Sequence, residues 1–243
     1  MRTNRVIKLM LPVLFCLGCI LRTARTAVSV DESLFYQRLA PYGNWTQHAA
    51  YGRVWHPTAV EAGWRPYTNG HWVATEEYGW MWDSDYEWGW APFHYGRWFH
   101  DSDSGWLWVP GYEWGPAWVA WRDGGGYIGW APLPPDVEWD SGVGLTFEDA
   151  QMDTLDLDLI FSRTSWVFVE ERDFLAPRLR AVILEPEGSV TIFDETVNAT
   201  RYAGLDGRII NRSIPVERIE KVTGRKVEMS RVNEENIGRP LLP

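Results

Sequence analysis

The stretch "TNGHWVATEEYGWMW" (residues 68–82) places two short runs of alternating large and small residues on either side of the tetrapeptide EEYG. Alternation with a period of two is typical of a half-buried strand, and a turn that ends in glycine joins two such strands in a hairpin. Side chains two positions apart face the same side of a strand, so Trp80 and Trp82 are expected to share a face. The stretch therefore predicts an antiparallel β-hairpin with one tryptophan-rich side.

The same pattern recurs on both sides of this stretch. When "YGNWTQHAAYGRVW" (42–55) and "HYGRWFHDSDSGWLW" (94–108) are aligned with it, Gly43, Gly70 and Gly96 coincide. The aligned tryptophans lie ten residues apart within each unit and twenty-six or twenty-seven apart between units. No segment between 40 and 139 carries a sustained helical period, so the repetition predicts a mainly β region of hairpin repeats of about 26 residues. The aligned pairs, expected in the core, are Trp45 with Trp55, Trp72 with Trp82, and Trp98 with Trp108.

Two longer runs carry a resemblance to a known family. They are "YEWGWAPFHYGRW" (86–98) and "SGWLWVPGYEWGPAWVAWRDGGGYIGWAPLPP" (104–135), and the likeness continues in "SWVFVEERDFLAP" (165–177) and "INRSIPVERIEKVTGRKV" (210–227). The chain resembles the tryptophan-rich YXWGXW-repeat proteins of bacteria, which are exported proteins of uncharacterised function. The resemblance implies an exported or envelope location and a mainly β repeat region, and it implies no activity.

Residues 1–29 have the pattern of a secretory signal peptide. Three basic residues within the first eight precede an apolar stretch at 9–21, and small residues then permit cleavage after Ser29. The apolar stretch is too short to span a bilayer comfortably as a permanent helix. In the alternative interpretation, "LGC" (17–19) makes Cys19 a lipid attachment site. Both alternatives predict an exported protein of the periplasm or cell envelope that meets the membrane only through the signal peptide or a lipid anchor.

Cysteine content and charge exclude several classes of function. Cys16 and Cys19 are the only cysteines, so cleavage after Ser29 would leave neither a disulfide nor a thiol nucleophile. The same cleavage removes five positive charges and no acid, which lowers the formal net charge from −10 to −15. Residues 30–139 hold five Arg, no Lys and fourteen acids. Because a nucleic-acid groove must be cationic, no nucleic-acid partner is expected.

After residue 139 the composition shifts from tryptophan to aliphatic residues, which divides the mature chain into a repeat region (30–139) and a small α+β C-terminal region (140–243). Strands are predicted at "SWVFVEE" (165–171), "GSVTIFDETV" (188–197), "GRIINRS" (207–213) and "RKVEMSRV" (225–232). For residues 147–159 the sequence allows either a helix or an acidic linker. From about residue 233 the chain is expected to be frayed.

The clearest helix pattern lies at 214–223. Ser213 stands at the N-cap position, Gly224 at the stop, and Ile214, Ile219 and Val222 form the apolar stripe. Together with the last two predicted strands, this helix predicts a β-α-β tail.

Few residues suggest an ion-binding or catalytic site. Asp101 and Asp103 in "HDSDSG" (100–105) alternate before a glycine, which suits either a calcium loop or a solvated hairpin turn, and the turn is favoured because further ligands are missing. A glycoside hydrolase would need two carboxylates, for which Glu76, Glu77, Glu87 and Glu113 are candidates. No metal site and no cofactor are predicted.

Seven further tryptophans exceed what one sheet face can bury, namely Trp80, Trp88, Trp90, Trp106, Trp114, Trp118 and Trp121. They either form a second packed layer or a protein interface, or they present rings to a ligand. Indoles stack on the apolar faces of sugar rings, so exposed members would suit peptidoglycan or a surface polysaccharide. The sequence therefore predicts an exported, non-enzymatic structural or interaction protein of the cell envelope, with a carbohydrate-binding module as the alternative and a glycoside hydrolase as the third. The candidate ligand-binding residues are Trp80, Trp88, Trp90, Trp106 and Trp114.

Overall fold

A computed structural model describes residues 32–148, 150–152 and 160–232. The predicted signal peptide with Cys16 and Cys19, most of the 147–159 segment and the tail from 233 lie outside the described residues. Within them the fold is mainly β, as predicted, with antiparallel hairpins and a smaller C-terminal part of mixed type. The strands are β1 (Gly43–His48), β2 (Gly52–Pro57), β3 (Gly70–Thr75), β4 (Gly79–Ser84), β5 (Arg97–Asp101), β6 (Gly105–Val109), β7 (Val119–Gly124), β8 (Tyr127–Pro132), β9 (Val137–Asp140), β10 (Gly144–Phe147), β11 (Ala150–Gln151), β12 (Val167–Glu170), β13 (Val197–Asn198), β14 (Tyr202–Leu205) and β15 (Arg208–Asn211); the helices are α1 (Glu32–Leu39), α2 (Pro186–Phe193) and α3 (Val216–Thr223).

The three aligned repeat units form the three predicted hairpins, β1–β2, β3–β4 and β5–β6. In each hairpin the two tryptophans that lie ten residues apart are direct cross-strand partners. The hairpin β7–β8 repeats this arrangement with Trp121 opposite Trp130. The spacing of ten therefore reflects the register of a hairpin, in which each aligned pair meets across the two strands.

The aligned glycines have a packing reason. A Cβ atom on Gly43 would lie 2.6 Å from the Trp55 ring, and one on Gly70 would lie 2.9 Å from the Trp82 ring. A Cβ atom on Gly96 would lie 2.8 Å from Nε1 of Trp108. Each glycine thus leaves room for the second tryptophan of its own hairpin, which is why glycine and tryptophan repeat together.

The strands form four sheets, with orders β1-β2-β6-β5, β11-β10-β9, β12-β8-β7-β13 and β14-β15-β4-β3. Two of these sheets combine strands from both sides of residue 139. In one, β12 and β13 flank the hairpin β7–β8, and in the other β15 pairs in parallel with β4 through Asn211 and Gly79. The C-terminal region therefore completes sheets that the repeat region begins.

Two predicted C-terminal strands are wrong. Residues 188–197 were expected to be a strand, but α2 occupies most of this segment, with Pro186 in its first turn. Ser189, Ile192 and Phe193 are buried at helical spacing, so the run fits a helix packed on the core. The predicted strand at 225–232 is reduced to one isolated bridge between Ser230 and Thr75.

The helix predicted near 214–223 forms as α3 and ends at Gly224, whose φ of 64° is the left-handed conformation expected of a glycine stop. Ser213 is not its N-cap, since Pro215 takes that position and the Ser213 hydroxyl instead accepts a bond of 2.9 Å from the Arg201 amide. Val222 is 42 % exposed and does not belong to the buried stripe.

Helix α1 was not predicted. Phe35 and Leu39, one turn apart, are fully buried, and the Leu39 carbonyl accepts a bond of 3.2 Å from the Trp55 indole. The Phe35 ring also contacts Trp90, Tyr95 and Trp108. Packing against several parts of the repeat region therefore defines this helix, and not a local pattern.

Candidate functional site

Most tryptophans are buried in the hydrophobic core. All seventeen lie within the described residues, and twelve of them are buried. Of the six aligned tryptophans, five are in the core as expected, whereas Trp45 is half-buried. The half-buried tryptophans are Trp45, Trp90, Trp106, Trp114 and Trp139.

The buried rings form a continuous network. Trp72 contacts Trp82 at 5.1 Å, Trp121 at 4.5 Å and Trp130 at 5.6 Å between ring centroids. Phe93 connects this group to a second one, since its ring lies 6.3 Å from Trp82 and 5.4 Å from Trp88. Aromatic pairs at these distances stabilise a fold beyond the area that they bury. The network joins the sheets and explains much of the aromatic content.

Two of the predicted ligand-binding residues belong to this core. Trp80 is 1 % exposed, and its indole donates a bond of 2.8 Å to the Ile214 carbonyl. Trp88 is 2 % exposed, and stacked rings of Tyr86 at 4.5 Å and Phe93 at 5.4 Å lie against it. Neither ring offers a face to a ligand, because both belong to the same buried cluster as most of the aligned tryptophans.

The remaining predicted residues, Trp90, Trp106 and Trp114, are half-buried and lie in different places. Trp90 stacks on Phe35 of α1 at 5.9 Å. Trp106 and Trp114 line two separate clefts. Among the described residues no two half-buried tryptophans are in ring contact, so they do not form a continuous row.

The first cleft, called here the Trp106 cleft, has a volume of about 750 Å³. Strands β2, β5 and β6, the loop around Trp64 and the segment 160–165 contribute its walls. Trp106 contacts the His100 ring at 5.4 Å and 81°, and Trp64 is 8 % exposed. The volume falls within the roughly 300–1,000 Å³ of small-ligand pockets.

Arg65 gives the Trp106 cleft its most unusual polar group. Its guanidinium donates bonds of 2.7 Å to the Thr164 carbonyl and 2.8 Å to the Trp166 carbonyl. Burial lowers the pKa of Arg65, and it forms no ion pair with a described carboxylate. Glu61, the acid that lines the cleft, is paired with Arg180. The cleft therefore holds a cation that pairs with no carboxylate of the residues described by the structure.

The second cleft, called here the Trp114 cleft, has a volume of about 590 Å³ and is lined by Trp114, Trp139, Tyr78 and the β14–β15 turn. One side of Trp114 is occupied, because it stacks on His94 at 5.5 Å and 10°. His94 Nδ1 donates to the Gly115 carbonyl at 3.0 Å, and burial lowers the pKa of His94 to about 4. His94 is therefore neutral at pH 7.

Sequence patterns did not identify Arg65, Trp64 or Trp139 as cleft residues. Arg65 carried one usable signal, since "GWRPY" (63–67) has arginine where the next copy, "GWAPF" (89–93), has Ala91. A charged residue at a position that is apolar in the next repeat marks a departure from the structural pattern.

Several of the acids considered for ion binding or hydrolysis have local partners, whereas burial raises the pKa of Glu113. One Asp101 carboxylate oxygen accepts bonds of 3.0 Å and 2.8 Å from the amides of Asp103 and Ser104, as in a solvated turn. Glu76 pairs with Arg231, and Glu87 accepts a bond of 2.7 Å from the Tyr42 hydroxyl. Within the described ranges no group of three or more His, Cys, Asp or Glu could hold a metal ion.

In the part of the chain that the structure describes, no helix has both the length and the apolar character needed to cross a membrane. Comparison with curated proteins and with solved structures found no match. Residues 36–137, which include the three hairpin repeats and the hairpin β7–β8, match the model of a family of unknown function (DUF6600).

Proposed function

We propose that the protein is an exported, non-enzymatic structural or interaction protein of the bacterial cell envelope. The observation that carries this proposal is the use of the aromatic residues, since twelve of seventeen tryptophans are buried in a ring network. Burial of the largest side chains in the core produces a stable scaffold. The clefts on its surface can then bind a partner in the envelope. The N-terminal sequence pattern supports the location.

The location is tested by expressing the full chain in bacteria and determining the N-terminus of the recovered protein by mass spectrometry. The proposal expects the protein outside the cytoplasm, beginning at Val30 or at a lipid-modified Cys19. The variant Cys19→Ala separates these two routes, because it changes membrane retention only if Cys19 carries a lipid. Recovery of an intact cytoplasmic chain that begins at Met1 would contradict export.

The second candidate function is carbohydrate binding, and it is supported by the composition of the two clefts. Each contains a half-buried tryptophan beside hydroxyl and charged side chains, namely Trp106 near Ser162 and Thr164, and Trp114 near Ser141. Indole faces and hydroxyl partners together are what a sugar ring requires. Because the tryptophans do not form a row, a sugar would bind inside a cleft and not along a flat aromatic platform.

Acrylamide quenching of tryptophan fluorescence tests this second function, with and without peptidoglycan fragments and common polysaccharides. If a glycan protects part of the fluorescence in the native protein, and Trp106→Phe or Trp114→Phe removes that protection, the corresponding cleft binds the glycan. Fluorescence that no added glycan changes would leave the structural or protein-interaction role.

A further inference from the structure

The ionisable groups of the Trp106 cleft differ in sign from the rest of the chain. The whole sequence has a formal net charge of −10. In the cleft, however, Arg65 forms no ion pair with a described carboxylate, and the lining acid Glu61 is paired with Arg180. Arg65, Arg180 and Glu61 together therefore carry one net positive charge at this cleft of an acidic protein, and that charge favours a negative group on a ligand.

Arg65 has the geometry to receive that group. Both of its terminal nitrogens donate to carbonyls, Nη2 to Thr164 and Nη1 to Trp166, so the planar guanidinium is held in one orientation. A guanidinium carries five N–H donors in a rigid fork that matches a carboxylate. The carbonyls hold the group in place without neutralising its charge, which leaves the charge available to a ligand.

The aromatic side chains of the Trp106 cleft indicate which uncharged part of a ligand it can bind. Trp106 is half-buried, and among the described residues its ring contacts one aromatic ring, that of His100. Trp64 adds a second indole, which packs by T-shaped contacts against Trp88 and Trp98 at 6.0 Å and 5.4 Å. Ser162 and Thr164 line the same cleft and provide hydroxyl groups. A sugar ring that carries a carboxylate could contact all of these groups. Its apolar face would pack on an indole, its hydroxyls would bond to the hydroxyl side chains, and its carboxylate would bind the fixed cation.

We propose that the Trp106 cleft binds an acidic saccharide, with the sugar ring against Trp106 and the carboxylate on Arg65. This inference rests on the carbohydrate-binding candidate above and adds the charge of the ligand and the cleft that receives it. The ligand class is that of uronic acids and other carboxylated sugars. The Trp114 cleft, in which Glu113 and Asp206 lie at the lining, is not assigned this ligand.

The test compares two probes with the same sugar rings, tetragalacturonate and its fully methyl-esterified form. Their binding is measured by isothermal titration calorimetry with protein purified after expression of the full chain. The carboxylate form is expected to bind at least about tenfold more tightly, because charge-assisted hydrogen bonds are roughly twice as strong as neutral ones. Its affinity should fall with added salt, whereas that of the ester should not.

Two variants locate the site and two serve as controls. Arg65→Gln is expected to remove the preference for the carboxylate, and Trp106→Phe should weaken both probes. Since Arg65 also bonds the 164–166 segment, Trp106→Phe keeps the proposal testable if Arg65→Gln fails to fold. The matched controls are Arg172→Gln, an arginine whose side chain is 69 % exposed and does not line the cleft, and Trp139→Phe, which changes the other cleft.

The outcomes separate the two proposals. Equal binding of both probes that depends on Trp106 would overturn the acidic ligand and keep carbohydrate binding. Binding that depends on Trp139 would overturn the assignment to this cleft. If neither probe nor any peptidoglycan fragment binds, both proposals fail, and the localisation experiment still tests the envelope role.

Discussion

Trp72 lies directly opposite Trp82 in the hairpin β3–β4, with ring centroids 5.1 Å apart at an interplanar angle of 71°. The same direct opposition occurs in the hairpins β1–β2, β5–β6 and β7–β8. Trp72 also contacts Trp121 and Trp130, the opposed pair of another sheet. Opposed tryptophans thus join strands within a hairpin and also join one hairpin to another.

The first prediction concerns this contact. Trp72→Ala removes a ring that is 3 % exposed and touches three other indoles, so it should lower the free energy of unfolding by about 3–5 kcal/mol. Urea denaturation followed by circular dichroism measures the loss. The control is Tyr112→Ala, whose side chain is 60 % exposed and should cost far less. Equal losses in the two variants would contradict the central place of Trp72.

The second prediction concerns the repeated glycine. A Cβ on Gly70 would lie 2.2 Å from the Asp83 carbonyl oxygen, and the residue has a φ of +146°. Gly70→Ala is therefore expected to lower the free energy of unfolding by about 2–4 kcal/mol through a backbone clash and strain.

The matched control is Gly188→Ala in helix α2, where the nearest atom to a Cβ is 3.9 Å away. It should raise stability by about 0.5–1 kcal/mol, because alanine favours a helix. Both changes are measured by the same denaturation experiment. A neutral Gly70→Ala would show that the hairpin can shift to accept a side chain.

The third prediction concerns pH and His94. Burial lowers the pKa of His94 to about 4, below the value near 6.5 of an exposed histidine. Between these two pH values the unfolded chain binds more protons than the folded one, so stability should fall as the pH drops from about 6.5 to 4, by on the order of 2 kcal/mol. Above pH 7, His94 is neutral in both the folded and the unfolded chain, so it should not make the stability depend on pH.

Denaturation curves at several pH values measure this effect, and His94→Gln provides the comparison. The variant cannot titrate, so its stability should depend less steeply on pH across this interval. An identical slope in the variant would assign the pH dependence to other groups. Nuclear magnetic resonance of the His94 ring protons would give its pKa directly.

The fourth prediction concerns the attachment of α3. Arg218 bridges the carboxylates of Asp123 and Glu171, whose side chains are 13 % and 9 % exposed. Arg218→Ala leaves two nearly buried carboxylates without this cation and should lower the free energy of unfolding by about 2–3 kcal/mol. Burial already raises the pKa of Asp123, and Arg218 opposes that rise. The deficit should therefore be smaller at pH 5 than at pH 8, because protonation of Asp123 removes the unpaired charge.

The control is Lys226→Ala, which breaks the ion pair of an exposed lysine with Glu220 and should leave the stability nearly unchanged. Hydrogen exchange of the α3 amides provides a second readout, since loss of Arg218 should increase exchange in this helix first. Exchange that rises equally everywhere would show that Arg218 supports the whole fold and not the docking of α3.

Local patterns in the sequence correctly predicted the hairpins. Alternation with a period of two, turn residues and the ten-residue spacing of the tryptophans are properties of neighbouring residues, and they define strands and register before any distant contact forms. The same local signals predicted α3 and its end at Gly224. They were not sufficient for α1 and α2, although all three helices have eight residues. No glycine directly follows α1, and α2 contains the β-branched Val190, Thr191 and Ile192, which favour a strand.

By itself, therefore, the sequence determined the fold class, the hairpin units and their register, since each of these depends on residues close together in the chain. The tertiary structure decided which rings remain partly exposed. Trp88 is covered by Tyr86 and Phe93, while Trp106 lies at a cleft beside Arg65, although the sequence marks Trp88 and Trp106 alike as surplus tryptophans. Burial depends on the packing of sheets whose strands are far apart in the chain, so no local pattern specifies it.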